Sequence, residues 1–156
     1  MKIKALVFVM LVCNTLCFAT LLQRDALAAS PAAKKAGAEQ KLLGKRMFSL
    51  QWILFENAKK YGAANITHEE TGLYIDAIQE LNGNYVTLKG DLTVVSPMEF
   101  IVTGELVTRV SHINNGNACP RNGAFTFKAT GNRKYWRLQE MQNPCDNVVD
   151  YVDVYF

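Results

Sequence analysis

Residues 85–95 read YVTLKGDLTVV, and residues 100–110 read FIVTGELVTRV. In the first stretch the even positions are Val86, Leu88, Gly90, Leu92 and Val94, while Tyr, Thr, Lys and Asp occupy most odd ones. The second stretch places Phe100, Val102, Gly104, Leu106 and Val110 on one face. Period two sustained over this length specifies two half-buried strands. Pairing Val94 with Phe100 across a loop at 95–99 sets Leu92 against Val102, Gly90 against Gly104 and Leu88 against Leu106. A slip of one residue would turn every apolar side chain to the wrong face. The two facing glycines predict a sharp bend or a close backbone approach, the feature that lets a sheet curl and close.

The same alternation extends outward along the chain. In residues 123–139, GAFTFKATGNRKYWRLQ, Gly131-Asn132 is a two-residue hairpin signal. It predicts Phe127 opposite Trp136 and Phe125 opposite Leu138 on the inner face, with Tyr135, Arg137 and Lys128 outside. RMFSLQWILF (46–55) alternates with Phe48, Leu50, Trp52 and Leu54 inward, and Asn82-Gly83 marks another hairpin. The β-branched and aromatic tail NVVDYVDVYF predicts a last strand. Together these give eight strands, at 46–55, 63–67, 73–80, 85–95, 100–111, 124–130, 133–142 and 148–155.

Eight sequential strands with short connections predict an all-β, antiparallel, up-and-down meander closed, or nearly closed, into a small barrel; a β-sandwich is the alternative. The layout resembles the calycin barrels, which include the lipocalins. The resemblance is one of architecture alone, because the lipocalin opening glycine-any-tryptophan does not occur; Gly44 and Trp52 are too far apart. Phe48, Trp52, Phe100, Phe125, Phe127 and Trp136 are the candidate barrel lining. They would either surround a cavity or fill it, since both outcomes occur in eight-stranded barrels.

The amino terminus reads as a secretory signal: Lys2 and Lys4, a mostly apolar stretch from Ala5 to Leu22, and small-residue patterns ending at Ala19 and Ala28. Cleavage after Ala28 is preferred, because Gln23-Arg24-Asp25 then form a polar approach to the site. Residues 1–28 are therefore a signal peptide, 29–45 a flexible Ala/Lys-rich tether or frayed helix, and 46–156 one all-β domain. The mature chain would be secreted or periplasmic and not inserted in a membrane.

Export leaves Cys119 and Cys145 as an even pair, for which a disulfide is expected. Cys119-Pro120 and Pro144-Cys145 mirror each other about the Gly131-Asn132 turn, which places the two cysteines near one another. The charge also redistributes. The whole chain has 17 Lys and Arg against 14 Asp and Glu, but residues 46–156 carry 10 against 12, a net of −2. A net-acidic body argues against nucleic acid as a partner, because phosphate binding needs concentrated positive charge.

No catalytic signature of the G-x-S-x-G or H-E-x-x-H type and no phosphate loop occurs. His68 in ITHEETG lacks nearby nitrogen or sulfur ligands, and His112 continues the inward series after Val110 to the barrel rim. Neither a metal nor a cofactor is expected. Asp146, Asp150 and Asp153 do not follow the EF-hand spacing and are expected to be solvated. Asn65-Ile66-Thr67 fits a glycosylation sequon. The turn-rich stretch 113–123 is a candidate binding loop. Arg121 at its tip, with outward Arg133, Tyr135 and Arg137, forms the candidate contact surface. The composite expectation is a non-catalytic exported binding module, holding a small apolar ligand inside or a macromolecule, such as a protein partner, at its rim loops. The alternatives are a structural or inhibitor-like protein with a filled barrel and, third, a hydrolase.

Overall fold

Val94 lies opposite Phe100, Leu92 opposite Val102, Gly90 opposite Gly104 and Leu88 opposite Leu106, the register that alternation predicts. A computed structural model of the chain describes residues 30–156; the signal peptide expected at 1–28 and its expected cleavage point lie outside the described residues. The elements run α1 (Pro31–Leu42), β1 (Gly44–Leu50), α2 (Gln51–Glu56), β2 (Gly62–Glu69), β3 (Gly72–Leu81), β4 (Asn84–Ser96), β5 (Glu99–Arg109), β6 (Cys119–Lys128), β7 (Tyr135–Leu138) and β8 (Val152–Tyr155). Each strand pairs antiparallel with its successor, and β8 returns to β1 through Phe48–Val154, Ser49–Asp153 and Leu50–Val152. The result is a closed eight-stranded meander, not a sandwich.

The facing glycines continue into a third strand, since Gly123 of β6 lies opposite Gly104. A Cβ on Gly104 would run into the Lys89 carbonyl and sit 2.6 Å from Gly90 Cα, so the two backbones cross where no side chain fits. Glycine here allows the tight curl that closure of a small barrel requires.

Inside, Phe48, Ile75, Leu88, Phe100, Leu106 and Phe127 are 0% exposed. A chamber of the few hundred Å³ usual for ligands would leave its lining in reach of water. These side chains are inaccessible to a water-sized sphere, so they fill the barrel, as eight strands permit. Phe100 stacks on Phe127 with centroids 5.0 Å apart and planes 8° apart, and Trp136 meets Phe100 edge-on at 5.6 Å.

Both ends are covered. Residues 31–42 form a regular helix rather than a loose tether: Ser30 caps it by accepting from the Ala33 amide, Pro31 opens it, and Ala38 and Leu42 are buried in the core. At the other end α2 buries Ile53. The strand expected at 46–55 therefore stops at Leu50, whose amide is taken by the Gln79 side chain at 2.6 Å. The last strand is also shorter than expected, at Val152–Tyr155.

Two connections differ from the sequence reading. The β4–β5 loop tightens through a bulge at Val95, leaving Pro97-Met98 at the turn. The β6–β7 register is Phe127–Leu138 and Lys128–Arg137, two residues away from the predicted pairing with Trp136. Gly131 and Asn132 do turn, with Gly131 at φ +59°, but inside a longer connection. A slip of two preserves both faces, so Phe125, Phe127, Trp136 and Leu138 remain inward and buried.

Candidate functional site

Among the described residues, chemistry-bearing side chains collect in two places, one buried and one on the outer wall. The buried group lies at the α2 end and centres on Asp150, which is 1% exposed rather than solvated. Trp52 Nε1–H donates to Asp150 Oδ1 at 3.1 Å. Oδ2 accepts from Thr108 Oγ1 (3.3 Å), Asn143 Nδ2 (3.0 Å) and Arg121 Nη2 (3.2 Å). Arg121 Nη1 donates in addition to the carbonyls of Glu140 and Gln142. Burial pulls the Arg121 guanidinium below the ordinary arginine value, against the opposing influence of Asp150 and Glu140.

These contacts correct three expectations. Arg121 is not a loop-tip contact residue. It lies on β6 opposite Leu106, and its side chain reaches inward to a buried carboxylate. Trp52 does not line the barrel; it is half-buried on α2, edge-on to His112 at 5.9 Å and to Phe55 at 5.8 Å. His112 is exposed, because the chain turns after Val110 and breaks the inward series. His68, near the end of β2, is exposed too.

The disulfide fastens this region from outside. Cys119 and Cys145 are bonded, with Cα atoms 5.9 Å apart. Cys145 N–H donates to Asn143 Oδ1, so the staple is adjacent to an Asp150 ligand. With four donors and 1% exposure, the Asp150 carboxylate is held inside the fold. It serves as a knot joining α2, β5, β6 and the 139–150 segment.

The second group lies on the outer wall formed by β7, β8 and β1. Arg137 donates from Nε and Nη2 to the two carboxylate oxygens of Asp153, each at 2.8 Å. Its guanidinium lies 4.3 Å from the Tyr151 ring centroid and 5.0 Å from that of Tyr135. The bidentate bond to Asp153 raises the Arg137 pKa above the ordinary arginine value. Tyr155 packs 5.4 Å from Tyr135 and 5.3 Å from Tyr61, and its hydroxyl is 3.2 Å from Ser49 Oγ. Burial pushes the Tyr155 phenol up to about 12. Arg133 borders the group, 5.8 Å from the Tyr135 ring.

The wall therefore joins three of the four predicted contact residues, Arg133, Tyr135 and Arg137, and leaves out Arg121. It adds Tyr61, Tyr151, Asp153 and Tyr155, which sequence reasoning missed. Period two in DYVDVYF does place Tyr151, Asp153 and Tyr155 on one face, and that signal was available.

Fold and sites together define a closed, filled antiparallel barrel with a polar knot at one end and a tyrosine–arginine wall outside. The chain belongs to the PM1083 family, whose profile matches residues 29–156. It is 46% identical over 143 residues to "Uncharacterized protein PM1083" of Pasteurella multocida (strain Pm70), covering 92% of this chain and 90% of that protein. No solved structure matches it significantly.

Proposed function

We propose that this protein is an exported, non-catalytic binding domain whose filled barrel is a scaffold and whose outer tyrosine–arginine wall contacts a protein partner. The observation carrying this reading is the clamp of Arg137 between Asp153 and the rings of Tyr135 and Tyr151. Tyr and Arg are enriched at the energetic centres of protein interfaces. Rings already held in place lose little further freedom on binding, which lowers the entropic cost of association. Tyr61 and Tyr151 remain 38% and 39% exposed, and neighbouring Met47 51%, so apolar area is available beside the clamp.

Export is supported by the signal pattern, by the disulfide, and by a family match beginning directly after the preferred cleavage site at Ala28. Among the described residues no helix is long and apolar enough to cross a membrane. The filled interior favours action at the surface over an apolar ligand within.

The test is site-specific photocrosslinking in the exporting cell. A benzophenone side chain replacing Tyr151 should capture one discrete protein, and the same group replacing Asp76 on the opposite wall should not. Equal capture from both positions, or a long-chain fatty acid that quenches Trp136 and raises Tm, would refute the reading.

A further inference from the structure

In a meander every connection leaves the barrel at one of two ends, and here the ends differ in charge. At one of them α1 crosses the mouth. Leu43-Gly44 joins it to β1, it packs against β4 on the far side of the ring, and Ala38 and Leu42 enter the core. The β2–β3, β4–β5 and β6–β7 connections share this end. Together with α1 they carry Lys34, Lys35, Lys41, Arg133 and Lys134 against Glu39 and Glu70. All five cations are exposed, and among the described residues none forms a salt bridge. At the opposite end α2 and the connections carry Lys59 and Lys60 against exposed Glu56, Glu140 and Asp146.

Exposed apolar side chains stand among the cations of the α1 end. Val95 is 55% exposed, Met98 41% and Phe156 48%. Backbone bonds gather them on one surface. Ala129 N–H donates to the Met98 carbonyl at 2.9 Å, and Phe156 N–H to the Lys134 carbonyl at 3.2 Å. Met98 and Phe156 therefore flank the 129–134 connection, which holds Arg133 and Lys134. The core does not account for these three side chains, because the inward positions beside them are already filled by buried Val94, Phe100 and Trp136.

We propose that the α1 end docks on an anionic lipid surface, with Val95, Met98 and Phe156 entering the headgroup region and the five cations meeting lipid phosphates. Apolar side chains set among lysines and arginines are the composition of surfaces that lie on a membrane without crossing it. Each cation near an anionic bilayer adds attraction that salt screens. Phe55 at the opposite end is 75% exposed, so apolar exposure alone does not choose between the ends; the sign of the charge does. The apolar groups sit at a turn and beyond the last strand, and a fluid lipid surface can receive them without a matching shape. On the export reading, only Ala29 and Ser30 separate the preferred cleavage point from α1, so this end faces the membrane until the signal is cut. The tyrosine wall, on the side of the barrel, stays free for a partner.

The test is flotation of the disulfide-bonded chain 29–156 with vesicles of phosphatidylcholine or of an equimolar mixture with phosphatidylglycerol. The chain should float with the anionic vesicles alone and be released by high salt. Lys34→Glu/Lys35→Glu should lower its partitioning at least about tenfold, as loss of two near-surface cations implies. Acidic residues suit the start of a helix, so α1 should persist; Lys134→Glu, outside α1, should act in the same direction and decides if α1 detaches. Val95→Ser/Met98→Ser, which leaves the charge unchanged, should weaken binding several-fold with Tm retained. Lys59→Glu/Lys60→Glu at the other end should leave it unchanged. Equal binding to both vesicles, or equal loss from the Lys59/Lys60 variant, would overturn the proposal. So would polyglutamate bound as tightly as the vesicles and indifferent to Val95→Ser/Met98→Ser, which would make an acidic polypeptide the occupant.

Discussion

The wall built by β2 to β5 and the wall built by β6 to β8 close the same barrel by different means. From β2 to β5 the strands are eight to thirteen residues long, and each register runs almost end to end. Hydrogen-bonded ladders and apolar burial suffice there. The other wall has two four-residue strands and two-rung pairing between β6 and β7. Polar ties replace ladders in that half: the Asp150 knot, the Arg137–Asp153 clamp and the Cys119–Cys145 staple. A wall that gives up backbone pairing must satisfy its buried groups with side chains. It also gains polar side chains that a continuous ladder would not need.

The contrast breaks most readily at the knot. Asp150→Ala should destabilise by about 3–5 kcal/mol, because it leaves the Arg121 guanidinium buried without its counter-charge. Denaturant midpoints of the single variant and of Arg121→Met/Asp150→Leu measure this. The double variant should recover much of the loss if the knot acts through charge pairing.

On the ladder side, Gly104→Val should destabilise by about 1–3 kcal/mol through overpacking against the β4 backbone. Thr103→Val, one residue away on the outer face, should stay within about 0.5 kcal/mol. Equal effects would mean that the crossing of Gly90 and Gly104 has no special role in closure.

The smallest expected effect belongs to the tyrosine wall. Tyr155 has a folded-state pKa of about 12, above its ordinary value of 10.0. Between those values the folded state holds a proton that the unfolded chain has lost, so stability falls as pH rises from 10 toward 12. Tyr155→Phe should flatten this alkaline decline of Tm and leave the Tm difference between pH 7 and 9 unchanged. A decline of the same slope in both proteins would place the alkaline sensitivity elsewhere.

The sequence was most legible where one period rules without interruption. Val94–Phe100 to Leu88–Leu106 could be paired from alternation because a one-residue slip would bury Thr and Lys. The β6–β7 register was not legible, because a two-residue slip keeps Phe125, Phe127, Trp136 and Leu138 inside either way. Trp52 was misplaced for a related reason. In LQWILF apolar residues are nearly contiguous, so period two and one helical turn fit equally well until Gln79 ends the strand. Asp150 was illegible altogether: its partners Trp52, Thr108, Arg121 and Asn143 come from four separate segments, and no local pattern announces them. Arg137 could be placed outside by alternation, but its pairing with Asp153 depends on β7 meeting β8.

Native-state hydrogen exchange before and after reduction tests most directly whether the two walls are held differently. Removing a cross-link that spans 26 residues should cost about 3–4 kcal/mol in the chain-entropy model. If the staple serves the polar wall, exchange at Asn147 and Asp150, whose amides bond Asn143 and Met141, should accelerate most. The β4–β5 amides should then follow only the global loss of stability. If reduction accelerates the amides of both walls equally, the barrel opens as one unit and the division into a laddered wall and a knotted wall is wrong.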